Sequence, residues 1–157
     1  MIIDNGLELN TRLSAVCQRF RARGYRITPQ RLAVIEVVFA SGKHPTAQQA
    51  YEELRGRFPT MSLSTVYKTL RLLQELGEVA IVAAEPERIH YDGADPRPHA
   101  HLICERCGAI ADASEQRQPD WLRSAQERGW QIGRWRLELV GVCPACQKNG
   151  RYADGML

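Results

Sequence analysis

Residues 62–91, SLSTVYKTLRLLQELGEVAIVAAEPERIHY, change period halfway and so decide the fold. Up to Gly77 the apolar residues Val66, Leu70 and Leu73 recur at helical spacing behind a Ser62 or Ser64 cap, and Gly77 supplies a stop. Beyond it, Val79-Ala80-Ile81-Val82-Ala83 and Arg88-Ile89-His90-Tyr91 read as short strands around Glu85-Pro86-Glu87, a hairpin or wing. Helices followed by a wing suit a winged helix-turn-helix, in which the last helix before the wing enters the DNA major groove. The outward residues of that helix are Ser64, Thr65, Tyr67, Lys68 and Arg71, with no acid between Ser62 and Gln74. Its exposed stripe is therefore cationic and hydrogen-bonding.

The segment before it is also helical. Leu13, Val16, Cys17 and Phe20 follow the i, i+3, i+4, i+7 spacing until Gly24. Thr28-Pro29 gives an N-cap and a proline at the first helical position, with Leu32, Ile35, Val38 and Phe39 on one side. A third helix starts after Thr46, with Ala47, Ala50, Tyr51 and Leu54 inward, and Pro59 interrupts it. Residues 1–85 carry eleven Lys+Arg against eight Asp+Glu, whereas residues 86–157 carry ten of each, so the whole excess of +3 lies in the helical half. Residues 12–31 hold six arginines and no acid, a field suited to phosphates, although the same run also reads as a solvated helix face. With 157 residues, 44% of them apolar and 25% charged, the chain is neither a disordered polyelectrolyte nor a strongly basic nucleic-acid coat. No run of ~18 apolar residues and no signal-peptide pattern occurs, so a cytoplasmic protein without a membrane span is expected.

Asp92-Gly93-Ala94-Asp95-Pro96-Arg97-Pro98 is turn-rich and reads as a linker. After it, His99–Cys104 and Ala109–Ala113 read as strands around a cysteine knuckle, Asp120–Arg128 as a helix, and Trp130–Val142 as one long or bent strand. Four of the five cysteines form two C-x-x-C pairs, Cys104/Cys107 and Cys143/Cys146, separated by 35 residues. Two such pairs let four thiolates converge on Zn²⁺ as a closed structural site that clasps the hairpin to the end of the domain. A redox dithiol instead calls for one C-x-x-C at a helix start in a βαβ context. Cys17, on the apolar stripe of the first helix, reads as an inert buried thiol.

The four histidines are His44, His90, His99 and His101. His99 and His101 alternate along a strand, so both imidazoles project from one face and can grip one ion. Asp92 in the linker, Asp112 past the knuckle and His44 before the third helix complete a mixed N/O set suited to Fe²⁺, Mn²⁺ or Zn²⁺ rather than Cu(I). His90 is a further candidate donor should Asp92 turn away.

Taken together, Arg26-Ile27-Thr28-Pro29-Gln30-Arg31, His44-Pro45-Thr46-Ala47, Ser64-Thr65-Val66-Tyr67 with Leu70, Tyr91-Asp92, His99-Ala100-His101-Leu102-Ile103-Cys104-Glu105-Arg106-Cys107-Gly108 and Gly141-Val142-Cys143-Pro144-Ala145-Cys146 resemble the ferric uptake regulator (Fur) family of metal-dependent bacterial repressors. The resemblance runs along nearly the whole chain. It implies an α+β protein: a winged-helix DNA-binding domain over 1–91, a hinge linker over 92–98, and a small α/β dimerisation and metal-binding domain over 99–157. It also implies a homodimer on double-stranded operator DNA, a structural zinc on the four paired cysteines, and a regulatory metal on His44, Asp92, His99, His101 and Asp112. Arg26 is expected near the DNA backbone or minor groove. An Asp at position 112, where iron-sensing members typically carry Glu, resembles the peroxide-sensing repressors (PerR), which implies Fe²⁺-catalysed oxidation of a ligand histidine, His44 or His99. The alternative within the family is a repressor of metal-uptake genes that senses iron or another divalent metal. Outside it stand a zinc hydrolase on the same histidines, with Asp112 or Glu105 as base, and a zinc-stabilised interaction module without DNA binding.

Overall fold

The computed structural model describes residues 5–40, 42, 44–85, 88–113 and 119–148. The chain divides between Pro96 and Arg97 into two compact units. In the first, α1 (Asn5–Ala22), α2 (Pro29–Phe39), α3 (Ala47–Leu54) and α4 (Leu63–Glu75) precede the strands β1 (Ala80–Glu85) and β2 (Arg88–Asp92).

Each helix start after α1 is fixed by a hydroxyl. Thr28 accepts from the Arg31 N–H with Pro29 at the first turn, Thr46 forms a reciprocal capping box with Gln49, and Ser62, rather than Ser64, accepts from the Thr65 N–H. Such caps contribute about 0.5–2 kcal/mol each and set where the apolar faces begin. Those faces meet at Val16 and Phe20 of α1, Val34 and Ile35 of α2, Ala50 of α3, and Val66, Leu70 and Leu73 of α4, all without exposed surface. At about 1.5–3 kcal/mol for each large apolar side chain, this cluster holds the unit together. Gly77 ends the α4 region at φ 72° and turns the chain into the hairpin. The hairpin is antiparallel, with Ala80 opposite Asp92 and Val82 opposite His90; the expected turn at Pro86 and Glu87 lies outside the described residues.

The second unit carries β3 (Ala100–Cys104), β4 (Ile110–Asp112), α5 (Asp120–Glu127), β5 (Leu137–Gly141) and a short α6 (Pro144–Lys148). Its sheet runs β4-β3-β5, antiparallel between β3 and β4 and parallel between β3 and β5. A parallel neighbour requires a crossover, and α5 lies within it.

One expected element is shorter than the sequence suggests. Trp130–Val142 reads as a single strand, but only Leu137–Gly141 is one. β3 offers five partners, from Ala100 opposite Leu137 to Cys104 opposite Gly141, and Pro98, which has no N–H to donate, lies two residues before its start. Trp130 to Arg136 therefore find no ladder. Helix α6 is an addition: five residues are too few for a periodicity to show. Among the described residues no helix is long and apolar enough to cross a membrane.

Candidate functional site

Three groups of donor side chains stand out, two in the second unit and one in the first. Cys104 ends β3, Cys107 follows in the turn closed by Gly108 at φ 70°, Cys143 precedes α6, and Cys146 lies within it. One sulfur from each lies within 4.8 Å of the other three. Cys107 Sγ and Cys143 Sγ are 3.8 Å apart, too far for a disulfide. A tetrahedron with Zn–S arms of ~2.3 Å has edges of about 3.8 Å, so the spacing fits the ion. The backbone already favours a thiolate here. The Cys143 N–H donates to Cys104 Sγ at 3.3 Å, and this bond, followed by that from Cys107, holds the Cys104 thiol down at about 6 despite burial. Cys146 is pushed up to about 12, first by the neighbouring Cys107 side chain and then by Cys143. The four cysteines can hold a metal.

The second group follows from strand register. His101 pairs directly with Asp112 across β3 and β4, and His99 lies two residues before His101 on the same side. Asp112 Oδ1 is 3.2 Å from His99 Nε2 and 3.6 Å from His101 Nε2, and the two rings are 4.2 Å apart. His99 Nδ1 lies 2.8 Å from the Arg97 carbonyl, which aims Nε2 at the carboxylate. Two imidazoles and one carboxylate face one another as the alternation implies.

The first unit supplies the remaining pair. His44 Nε2 and Asp92 Oδ1 are 3.9 Å apart, and both side chains are 1% exposed. Among the described residues His44 is the only non-glycine at positive φ, 39°. A residue held in that sparsely populated region carries roughly 1–3 kcal/mol of strain, and surrounding contacts must enforce it. His90 does so. Its Nδ1 is 2.7 Å from the His44 carbonyl, Thr46 bridges to His90, and the Tyr91 N–H donates to the Pro45 carbonyl at 3.0 Å. His90, considered above as a donor to the ion, is engaged with the His44 backbone instead. No residue pattern announces that role, because the partner is a main-chain oxygen.

The outward face of α4 carries Ser64, Tyr67, Lys68 and Arg71 exposed to solvent, Tyr67 by 51%. Thr65 is half-buried, and its Oγ1 lies 3.1 Å from the Ser62 hydroxyl, so it helps build the cap. Arg71 pairs with Glu75 one turn on, at 2.9 Å, an acid just beyond the acid-free stretch. Arg26 is exposed and its carbonyl accepts from Arg31 Nη1 at 2.6 Å. The face presents cations and hydroxyls.

Comparison with known proteins agrees with this chemistry. The chain is 36% identical to the peroxide operon regulator of Bacillus subtilis (strain 168) over 141 residues, which are 89% of this chain and 97% of that protein. The Helicobacter pylori ferric uptake regulator Fur shares the fold, with a TM-score of 0.76 at 21% identity over 88% of this chain and 93% of that one. A zinc uptake regulator solved in complex with zinc and DNA gives a TM-score of 0.62 at 27% identity over 90% of this chain and 96% of that one. The profile of the ferric uptake regulator family matches residues 22–140, so the chain belongs to that family of metal-dependent DNA-binding repressors, which are transcription factors rather than enzymes.

Proposed function

We propose that this chain is a PerR-like repressor that senses peroxide through a regulatory Fe²⁺ held by His44, Asp92, His99, His101 and Asp112. The donor set around Asp112 carries the reading: two imidazole nitrogens within 3.6 Å of one carboxylate oxygen, without sulfur, suit Fe²⁺ or Mn²⁺, and Zn²⁺ in vitro. Three donors leave a divalent ion short of its usual coordination number. His44 and Asp92 supply two more of the same chemistry from the first unit. An ion using all five ties winged-helix domain 1–91 to dimerisation domain 99–157 across hinge 92–98.

Coordination can bias the hinge only as far as the ion binds the DNA-competent arrangement better than the others. Moving the balance from 1:99 to 99:1 takes about 5.5 kcal/mol, within reach of two added ligands. In the dimer, the two α4 helices would enter major-groove segments about one helical turn apart, with Ser64, Thr65, Tyr67, Lys68 and Arg71 near bases and phosphates and Arg26 toward the backbone or minor groove. A homodimer is supported by Leu102 and Leu139, which stand opposite each other on β3 and β5 and are 44% and 49% exposed. The four-cysteine site would hold structural Zn²⁺.

Bound Fe²⁺ would supply the electron that reduces hydrogen peroxide beside the imidazoles. His44 or His99 then gains an oxygen and is lost as a donor, and the hinge is released. An Asp at position 112 and the likeness to a peroxide operon regulator support this over iron sensing. The test is a titration of operator binding with Fe²⁺, Mn²⁺ and Zn²⁺ separately, followed by peroxide and mass spectrometry. The expected result is one oxygen on a His44 or His99 peptide and loss of DNA binding for the Fe²⁺ form alone. Intact histidines with undisturbed DNA binding would instead favour iron sensing.

A further inference from the structure

The segment leaving β2 is fastened from an unexpected direction. Arg12, near the middle of α1, donates through Nη1 to the carbonyl of Gly93 and, at 3.3 Å, to that of Ala94. Its Nη2 donates to the Glu78 carbonyl at 2.8 Å and lies 3.4 Å from Glu78 Oε2, and its guanidinium stacks 3.8 Å from the centre of the Phe39 ring. On the other side, Asp92 Oδ1 accepts from the Ala94 N–H at 2.9 Å and from the Asp95 N–H at 3.3 Å.

These contacts fall on the same two peptide groups. The Gly93 carbonyl and the Ala94 N–H belong to one plane, and the Ala94 carbonyl and the Asp95 N–H to the next. In a trans peptide the C=O and N–H point opposite ways and cannot rotate independently. An arginine that fixes both oxygens therefore fixes both N–H vectors, which converge on Asp92 Oδ1. The strap is also seated hard against α2: a Cβ at Gly93 would fall 2.6 Å from the Val38 carbonyl oxygen and 2.9 Å from Phe39 Cδ1.

We propose that Arg12 is a positioning residue for the regulatory ion, acting through the Gly93–Ala94 and Ala94–Asp95 peptides to hold the Asp92 carboxylate in place. The inference rests on the assignment of Asp92 as a ligand. It gives α1 a share in metal sensing, because the brace joins that helix to the ligand-bearing strap. Arg19 provides an internal control. It too pairs with Glu78, and it donates to the Leu76 carbonyl at 2.6 Å, so it docks α1 without touching the strap.

The experiment compares the zinc-loaded full chain with its Arg12→Lys, Arg12→Ala and Arg19→Ala variants in two measurements. Mn²⁺ affinity is read from the EPR signal of the free ion, and hydrogen exchange at the Ala94 and Asp95 amides is followed without Mn²⁺. Loss of a partner that orients a ligand typically costs 10–100-fold in metal affinity. Both Arg12 variants should weaken Mn²⁺ by about that factor and speed exchange at the two amides, and Arg19→Ala should do neither. Arg12→Lys keeps the charge toward Glu78 but cannot bridge two carbonyls, so it separates the fork from the charge. Equal effects of Arg12→Lys and Arg19→Ala would reduce Arg12 to helix docking and overturn the proposal, as would unchanged affinity and exchange in Arg12→Ala. A wild-type chain that takes up no Mn²⁺ would overturn the ligand assignment itself, and amide exchange would then decide the brace alone.

Discussion

Removing the ion from the four-cysteine site should unfold the second unit and leave the first standing. Among the described residues, the second unit buries only two apolar side chains, Cys104 and Leu122. A fully buried leucine contributes about 1.5–3 kcal/mol, while ordering each residue of backbone costs about 1–2 kcal/mol. Structural zinc supplies ~10–16 kcal/mol of apparent binding energy, as much as the whole net stability of an ordinary domain. It ties the β3–β4 turn to α6, so its loss removes the largest single restraint. The first unit keeps its own core. The two can be watched separately, because all three tryptophans, Trp121, Trp130 and Trp135, lie in the second unit, and Trp121 and Trp135 meet edge to face at 5.8 Å. Helices of 18, 11, 8 and 13 residues in the first unit, against 8 and 5 in the second, dominate the far-ultraviolet circular dichroism. Chelation under reducing conditions should change tryptophan emission and abolish the near-ultraviolet aromatic signal, with most of the helical signal retained. Unchanged tryptophan signals after stoichiometric ion release would refute the reasoning, and so would loss of both signals in one transition.

Further outcomes follow from single contacts. His90→Ala should release the His44 backbone from positive φ and weaken Mn²⁺ binding by about tenfold or more, read by the same EPR titration; unchanged affinity would show that the loop keeps its shape unaided. Gly93→Ala forces the strap off the Val38 carbonyl and should cost the first unit about 1–3 kcal/mol in urea unfolding followed by circular dichroism. Burial raises the Cys17 thiol above its ordinary 9.0, with Arg21 only partly opposing. The stability Cys17 contributes is therefore full below pH 9 and falls as pH rises toward the folded value, a decline that Cys17→Ala should flatten in alkaline urea titrations. Lys68→Ala should weaken DNA binding evenly across sequences and lower its salt slope by about 1, whereas Glu75→Gln, which frees Arg71, should strengthen it.

The parts of this protein that could be read in the sequence are those in which one residue type answers another over a short span. Thr28 before Pro29, Thr46 before Gln49 and Ser62 before the Val66-Leu70-Leu73 face mark their helices, since a hydroxyl cap and an apolar period are both local. The C-x-x-C pairs and the alternation of His99 and His101 likewise carry their geometry with them. Strand length was less legible, because Trp130 to Arg136 have strand-like composition and lack only a partner, and a partner's reach is set elsewhere in the chain. The hinge braces were not legible at all. Arg12 stands 81 residues from Gly93, in a run of arginines that reads equally well as a phosphate field or a solvated face. His90 resembles a donor to the ion until its ring is seen on the His44 carbonyl. Both residues act on main-chain oxygens, and a carbonyl is the same atom at every position. A cation or imidazole directed at one therefore leaves no complementary side chain to mark its target, and its function becomes visible only when the fold brings the two together.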